Sequence, residues 1–324
     1  MATELRVGVT PWLMGADDAR SLARQAGLAE SLGFHSFWLP ESHFTGPGSR
    51  PAPLLQLAAV AASTTRLRLG TTSFLVPLRH PLHVAAEVAV LDHLSQGRVI
   101  LGLGRGFRRA TFTAFGVPER EKRDRFGAAL ASICLAWQGE PVAWDGAGAD
   151  AQPVTLAPLP VQKPHPPLWV TAFGPKALDQ AGHMGLPYLA SPVEPLAQLE
   201  QNYARHRAVL VSAGHAAGGA VPVMRTVFAS RSAPLLERAR ALLAEQALAT
   251  ARLRSPGLQR ALAGDLASAP IVGEPEQVVE AVARHREALG MTHLIVRAHV
   301  PELDARELET SLELLAASGL VAHD

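Results

Sequence analysis

The sequence predicts an α/β protein of the (β/α)8 TIM-barrel class with insertion loops, on three observations. Short apolar runs alternate with amphipathic segments along the chain, the pattern of a parallel sheet covered by helices. About eight strand–helix units can be counted, the number that closes a barrel. The chain has 324 residues, 48% hydrophobic and 18% charged, which suits one large buried core over residues 1–324. An open doubly wound sheet is the alternative reading of the same alternation.

The elements follow in order. Leu5–Val9 is a short strand leading to Thr10-Pro11-Trp12. Asp17 or Asp18 caps a helix that carries Leu22, Ala26, Ala29 and Leu32 at helical spacing and stops at Gly33. Phe34–Leu39 is the second strand, opening into Pro40-Glu41-Ser42-His43-Phe44. A helix starts at Pro51 or Pro53, where proline suits the first turn. Leu67–Thr71 is the third strand, Pro81–Leu94 the next helix and Arg98–Leu103 the fourth strand. Between these two, Ser95-Gln96-Gly97 ends the helix, because Gly takes the left-handed conformation that a helix end needs. Phe126–Trp137 reads as a helix, Pro167–Thr171 as a strand and Pro175–His183 as a helix. The same alternation continues through Leu186–Ala190, Pro195–Ser212, Val221–Ala229, Leu235–Ala251, Gln277–Leu289, His293–Arg297 and Ala305–Ala317. Gly139–Pro166 and Ser255–Pro270 break the rhythm and read as insertions, which would shape the substrate space.

Composition excludes several classes. A net charge of +1 lacks the basic excess of a nucleic-acid partner. The one cysteine, Cys134, cannot form an internal disulfide and lies in an apolar helical stretch, as a core residue would. The N-terminal residues lack a signal pattern and no apolar run reaches a membrane span, so the expected location is the cytoplasm. No H-E-x-x-H, CxxC or G-x-S-x-G is present. His80, next to Pro81, reads as structural.

In a β/α barrel, chemistry sits at the strand C-termini. That rule selects Thr10 and Trp12; Glu41, Ser42, His43 and Phe44; Thr71, Thr72, Ser73 and Phe74; Arg105; Thr171, Phe173 and Gly174; and Ser191. Gly102, Gly104 and Gly106 strip side chains from one strand exit and leave Arg105 on a bare backbone, suited to an anionic group. The alternating spacing is not the G-x-G-x-x-G dinucleotide fingerprint, and Phe107-Arg108-Arg109-Ala110 shows no clear helix start. In Gly174-Pro175-Lys176-Ala177 a glycine follows a strand and a proline opens a helix, whose unpaired N–H groups and dipole favour a phosphate. Trp12, Phe44, Phe74 and Phe173 would either sandwich a planar ring or cap the core.

Four segments together resemble the bacterial luciferase-like flavin monooxygenases: Leu91–Gly106, Trp38–Phe44, Pro77-Leu78-Arg79-His80-Pro81 and Gly174–Ala177. The resemblance implies a barrel that binds reduced flavin at its strand C-termini. It makes Arg105 and Gly104 part of one phosphate-contacting loop, and Gly174, Pro175, Lys176 and Ala177 a second such segment. It places Thr72-Ser73 where the family often has a non-prolyl cis peptide beside the flavin ring. Luciferases carry Glu-His-His-Phe after the second strand; this chain carries Glu41-Ser42-His43-Phe44, with Ser42 at the position of the catalytic histidine. A hydroxyl is a poorer general base than imidazole, which argues against the luminescent aldehyde reaction. Ser42 and His43 remain the candidate catalytic groups. The implied function is oxidation of a small organic substrate with reduced FMN and O2. A separate flavin reductase and a homodimer are the implied partners. A deazaflavin-dependent dehydrogenase and a non-catalytic flavin-binding protein are the alternatives.

Overall fold

A computed structural model describes residues 4–13, 19–46, 48–143, 152–252 and 269–321. In chain order its elements are β1 (Arg6–Val9), α1 (Ala19–Ser31), β2 (Ser36–Leu39), α2 (Pro53–Ser63), β3 (Arg68–Thr71), β4 (Phe74–Leu75), α3 (Pro81–Leu94) and β5 (Val99–Gly104). Next come α4 (Arg109–Ala114), α5 (Lys122–Trp137), β6 (Leu168–Thr171), α6 (Pro175–His183), β7 (Tyr188–Leu189) and α7 (Leu196–Ser212). The last are β8 (Pro222–Ala229), α8 (Ala233–Arg252), β9 (Ile271–Gly273), α9 (Pro275–Leu289), β10 (His293–Arg297) and α10 (Ala305–Ala317). The expected helices Pro81–Leu94, Pro175–His183 and Ala305–Ala317 and the strand His293–Arg297 match residue for residue. The Asp17 or Asp18 cap and most of the Ser255–Pro270 insertion lie outside the described residues.

The local chemistry explains the element ends. Pro53, Pro81, Pro175 and Pro275 open helices, where the missing N–H costs nothing. Glu274 with Gln277 and Asp304 with Glu307 form capping boxes on α9 and α10. Gln96 and Gly97 both take positive φ, 55° and 78°, so the chain turns within two residues from α3 into β5. Three elements escape the sequence pattern. The strands β4 and β9 are two and three residues long, too short to show a period. The helix α4 begins at Arg109, correcting the reading of Phe107–Ala110, and Arg108 at its N-cap supplies no side-chain hydrogen bond that would mark a start.

The chain divides into two compact units. The first holds Met1–Ala16, Arg24–Trp38 and Trp169–Asp324, and the second Asp17–Ala23 and Leu39–Leu168. The helix α1 and the strands β2 and β6 contribute residues to both. Within the first unit, β1 lies between β2 and β10, β8 between β10 and β9, and β6 beside β7, all parallel. A parallel bridge joins Ala190 to Val223. Its inner packing includes Trp38 stacked on Trp169, ring centroids 5.0 Å apart. Gly8 makes room for this pair, since a Cβ there would lie 2.6 Å from Trp38 Nε1. Within the second unit, β5 runs parallel to β3 and β4. All six residues of β5 are buried, as expected of a strand covered on both faces.

Candidate active site

The motif Leu91–Gly106 divides into an architectural part, up to Arg98, and a buried strand that ends at the half-buried Arg105. Asp92, fully buried, accepts from the Gln162 N–H at 2.9 Å and from Gln162 Nε2 at 2.7 Å. His93 Nε2 bonds the Leu159 carbonyl at 2.8 Å. These contacts tie down the end of the Gly139–Pro166 insertion. The Arg98 guanidinium donates to the carbonyls of Ala61, Thr64, Leu67 and Ser95, and so satisfies the end of α2. His80 caps α3 through its Nδ1, which accepts the Leu82 N–H at 3.3 Å.

Beyond the end of β2 in the second unit, the fully buried Glu41 carboxylate organises its surroundings. Oε1 accepts from His43 Nε2 at 2.5 Å and from Arg79 Nη1 at 2.7 Å. Oε2 accepts the Leu75 N–H at 2.8 Å. A buried carboxylate is tolerated only with such charge-assisted partners. Arg79 in turn lies over the Phe74 ring, 4.2 Å from its centroid. His43 is 7% exposed and packs edge-on against Phe115 at 4.9 Å. Its Nε2 faces the carboxylate, so Nδ1 is the ring nitrogen that can exchange a proton with a ligand. Ser42 is used differently: Oγ accepts the Arg50 N–H at 3.0 Å while the Ser42 N–H donates to the Arg50 carbonyl at 3.0 Å. This pair closes the loop after β2.

The Thr72–Ser73 peptide is cis. Thr72 Oγ1 is buried, and no hydrogen-bond partner meets it among the described residues. Two residues on, Leu75 binds Glu41 and pairs in register with Gly104, the residue before Arg105. One set of contacts therefore joins His43, Glu41, β4 and the β5 exit. Gly106 takes φ 75°, and a Cβ there would approach the Phe112 ring at 3.1 Å, so glycine is needed at this turn. The Arg105 guanidinium lies 5.8 Å from the Phe126 ring centroid. Burial, and then repulsion from Arg123, lower its pKa from the ordinary arginine value to about 10. A guanidinium held this way, with a second cation close by, is suited to a dianion.

In the first unit, Gly174 turns the chain with φ 77° into α6, and Pro175 and Lys176 are exposed. The Ala177 N–H is taken by the Gly174 carbonyl at 3.1 Å, leaving Lys176 to present the first-turn amide. Of the rim aromatics, Trp12 and Phe74 are buried in the core, Phe44 is 67% exposed and Phe173 half-buried. Trp12 and Phe74 therefore each belong to the packing of their own unit.

A separate buried cluster lies between β7, β8 and α7 of the first unit. Glu194, 1% exposed, accepts from the Tyr188 hydroxyl at 2.9 Å, the Ser191 N–H at 2.9 Å and Asn202 Nδ2 at 2.7 Å. Burial outweighs these bonds and pushes its pKa up to about 7. The folded chain then binds more protons than the unfolded chain between pH 4.5 and about 7. Stability from this group is present below pH 4.5 and lost as the pH rises through 7, a change of up to about 3 kcal/mol. Urea unfolding of the wild type is expected to weaken more between pH 5 and 8 than that of Glu194→Gln. Parallel pH profiles for the two would contradict this.

The sequence of the chain matches the luciferase-like monooxygenase family over residues 3–293. The chain belongs to that family. A monooxygenase from Streptomyces bottropensis shares its fold with a TM-score of 0.83 and 28% identity, covering 98% of this chain and 99% of the other. The luciferase-like barrel is thus the fold class. The oxygenase component of a flavin-dependent trigonelline monooxygenase from Acinetobacter baylyi is 30% identical over 51% of this chain and 46% of its own length. An F420-dependent glucose-6-phosphate dehydrogenase from Beutenbergia cavernae is 38% identical over 51% of each chain. The chain spans about half the length of the curated relatives it matches. Luciferase-like proteins thus include relatives named for flavin and for deazaflavin chemistry. Arg79 and Arg123 stand out in the structure beyond the residues singled out at strand ends from sequence, and Glu41, one of those, takes the organising role. Glu41 and Arg79 both lie inside segments that carry the family resemblance, while Arg123 carries no sequence signal of its own.

Proposed function

We propose that this chain is the oxygenase part of a two-component flavin-dependent monooxygenase, which takes reduced FMN from a separate reductase and uses O2 to oxidise a small organic substrate. The observation that carries the reading, beyond family membership, is the desolvated Arg105 beside Arg123 at the β5 exit, an arrangement that fits the FMN phosphate. The orphaned Thr72 Oγ1 gives a polar atom for the ligand to satisfy. Reduced FMN supplies the electron pair for the reaction with O2. The chain's own part is to anchor the phosphate at the loop Gly104-Arg105, to line the ring with Thr72 and Ser73, and to hold His43 by Glu41 so that Nδ1 can move a proton. Ser42 shapes the loop around His43.

The alternative is a deazaflavin-dependent dehydrogenase, supported by the Beutenbergia relative. Titrating the protein separately with FMN and with the deazaflavin coenzyme decides between them: tighter FMN binding is expected, and a clear preference for the deazaflavin would overturn the reading. Bound FMN without oxidation of any organic substrate would instead indicate a flavin carrier. A cytoplasmic location belongs to the same proposal; no described helix is long and apolar enough to cross a membrane. So does a homodimer, for which Leu55 on α2 and Val90 and Leu94 on α3 offer exposed apolar side chains.

A further inference from the structure

The C-terminal end of β10, in the first unit, carries a cation that the assignments above do not use. Side chains two apart on a strand share a face, so His293, Ile295 and Arg297 lie together. The His293 ring meets Trp169 edge-on at 4.9 Å and His35 at 5.9 Å, which identifies this face as the one turned toward β6 and the start of β2 within the unit. On the neighbouring strand β8, Thr226 pairs in register with Arg297. Arg225, one residue earlier, points the other way and donates to the Ser191 carbonyl at 2.9 Å, as the alternation requires.

The Arg297 guanidinium donates to two neutral oxygens, Thr226 Oγ1 at 3.2 Å and Gln246 Oε1 of α8 at 2.8 Å. No carboxylate is ion-paired with it among the described residues. Part of its surface stays accessible, yet protein surrounds it closely enough that burial alone lowers its pKa. The guanidinium is thus half-buried, its charge only partly solvated. His299, next on this side of the chain, is half-buried and held by the Trp12 carbonyl, 2.9 Å from its Nδ1. Burial lowers its pKa, so it adds a neutral polar group beside the cation.

We propose that Arg297, positioned by Thr226 and Gln246, holds a small oxyanion ligand such as a carboxylate. The site lies within the first unit and stands independently of the monooxygenase reading. An Arg fork desolvated in this way gains from a bidentate oxyanion what two neutral oxygens do not supply.

The test uses the whole protein, with and without FMN, at fixed ionic strength. The probes are acetate and benzoate against their neutral isosteres, acetamide and benzamide. The wild type is expected to bind each carboxylate at least about tenfold more tightly than its amide, the size of one charge-assisted contact. Arg297→Met is expected to remove the difference, and Thr226→Val, which keeps the guanidinium, to reduce it severalfold. Equal binding of acid and amide by the wild type would overturn the proposal. So would an undiminished preference in Arg297→Met. Should Arg297→Met instead abolish the preference for FMN over riboflavin, Arg297 serves a phosphate and the carboxylate assignment falls. Failure of the wild type to bind FMN would count against the monooxygenase reading alone, since the carboxylate comparison is also made without it.

Discussion

Glu41→Ala is expected to lower the free energy of unfolding by about 3 kcal/mol, the low end for breaking a buried ion pair, because Arg79 keeps some access to water. The substitution leaves three donors without their acceptor: His43 Nε2, Arg79 Nη1 and the Leu75 N–H. The amide of Leu75 is the most costly to strand, since β4 has only two residues to hold it in register with Leu103 and Gly104. Glu41→Gln keeps the volume and one acceptor oxygen and should lose less. Urea unfolding at pH 7 checks both. A loss below 1 kcal/mol, as is ordinary for exposed pairs, would mean that the carboxylate is not the organising group of this site. The same change frees the His43 ring, so any reaction that uses its Nδ1 should slow in Glu41→Gln even where the fold persists.

Arg105→Leu is expected to move stability and binding in opposite directions. The lowered pKa of about 10 means that the folded chain pays to keep this cation charged. Because the folded pKa lies below the unfolded one, the penalty applies at every pH below about 10 and fades only as the group deprotonates. Removing the charge while keeping an apolar stem should therefore stabilise the ligand-free protein, by about 1 kcal/mol after allowance for water around the partly exposed side chain. Affinity for FMN should fall by about 10- to 100-fold, the size of one charged hydrogen-bonding contact to phosphate. Thermal unfolding of the ligand-free variant and an FMN titration measure the two effects. A less stable variant with unchanged FMN affinity would show that Arg105 has a structural role alone. Residues that hold a ligand are commonly suboptimal for the empty fold, and the nearby Arg123 makes that expectation specific here.

Much of the fold is legible because its elements carry their own punctuation. Proline at a first turn, glycine past a last turn, and four- to six-residue apolar runs between them place α3, α6, α10 and β10 to the residue. The signals fail where length or capping gives out. The strands β4 and β9 are held by their parallel neighbours, and α4 by its surroundings, so nothing local announces them. The candidate site is legible in part. The bare backbone around Arg105 is visible as alternating glycines. Its partner Arg123 is not, because it approaches from α5 through the tertiary fold. Glu41 reads as one polar residue among four at a strand exit. Its role as the acceptor for His43, Arg79 and Leu75 depends on bringing together residues as far as 38 apart in sequence. Leu91–Gly106 shows the reverse case. Asp92, His93 and Arg98 look as informative as Arg105, yet they tie down an insertion and a helix end, and Arg105, half-buried beyond the end of β5, is the residue of that motif proposed to meet a ligand.

The most direct test of the account is an anaerobic titration of the wild-type protein with reduced FMN and, separately, with reduced riboflavin. The two differ only in the phosphate. An Arg105 site built for a dianion predicts that FMN binds at least about tenfold more tightly, with the gap shrinking as salt is raised. Equal affinities, or no binding of either, would contradict it.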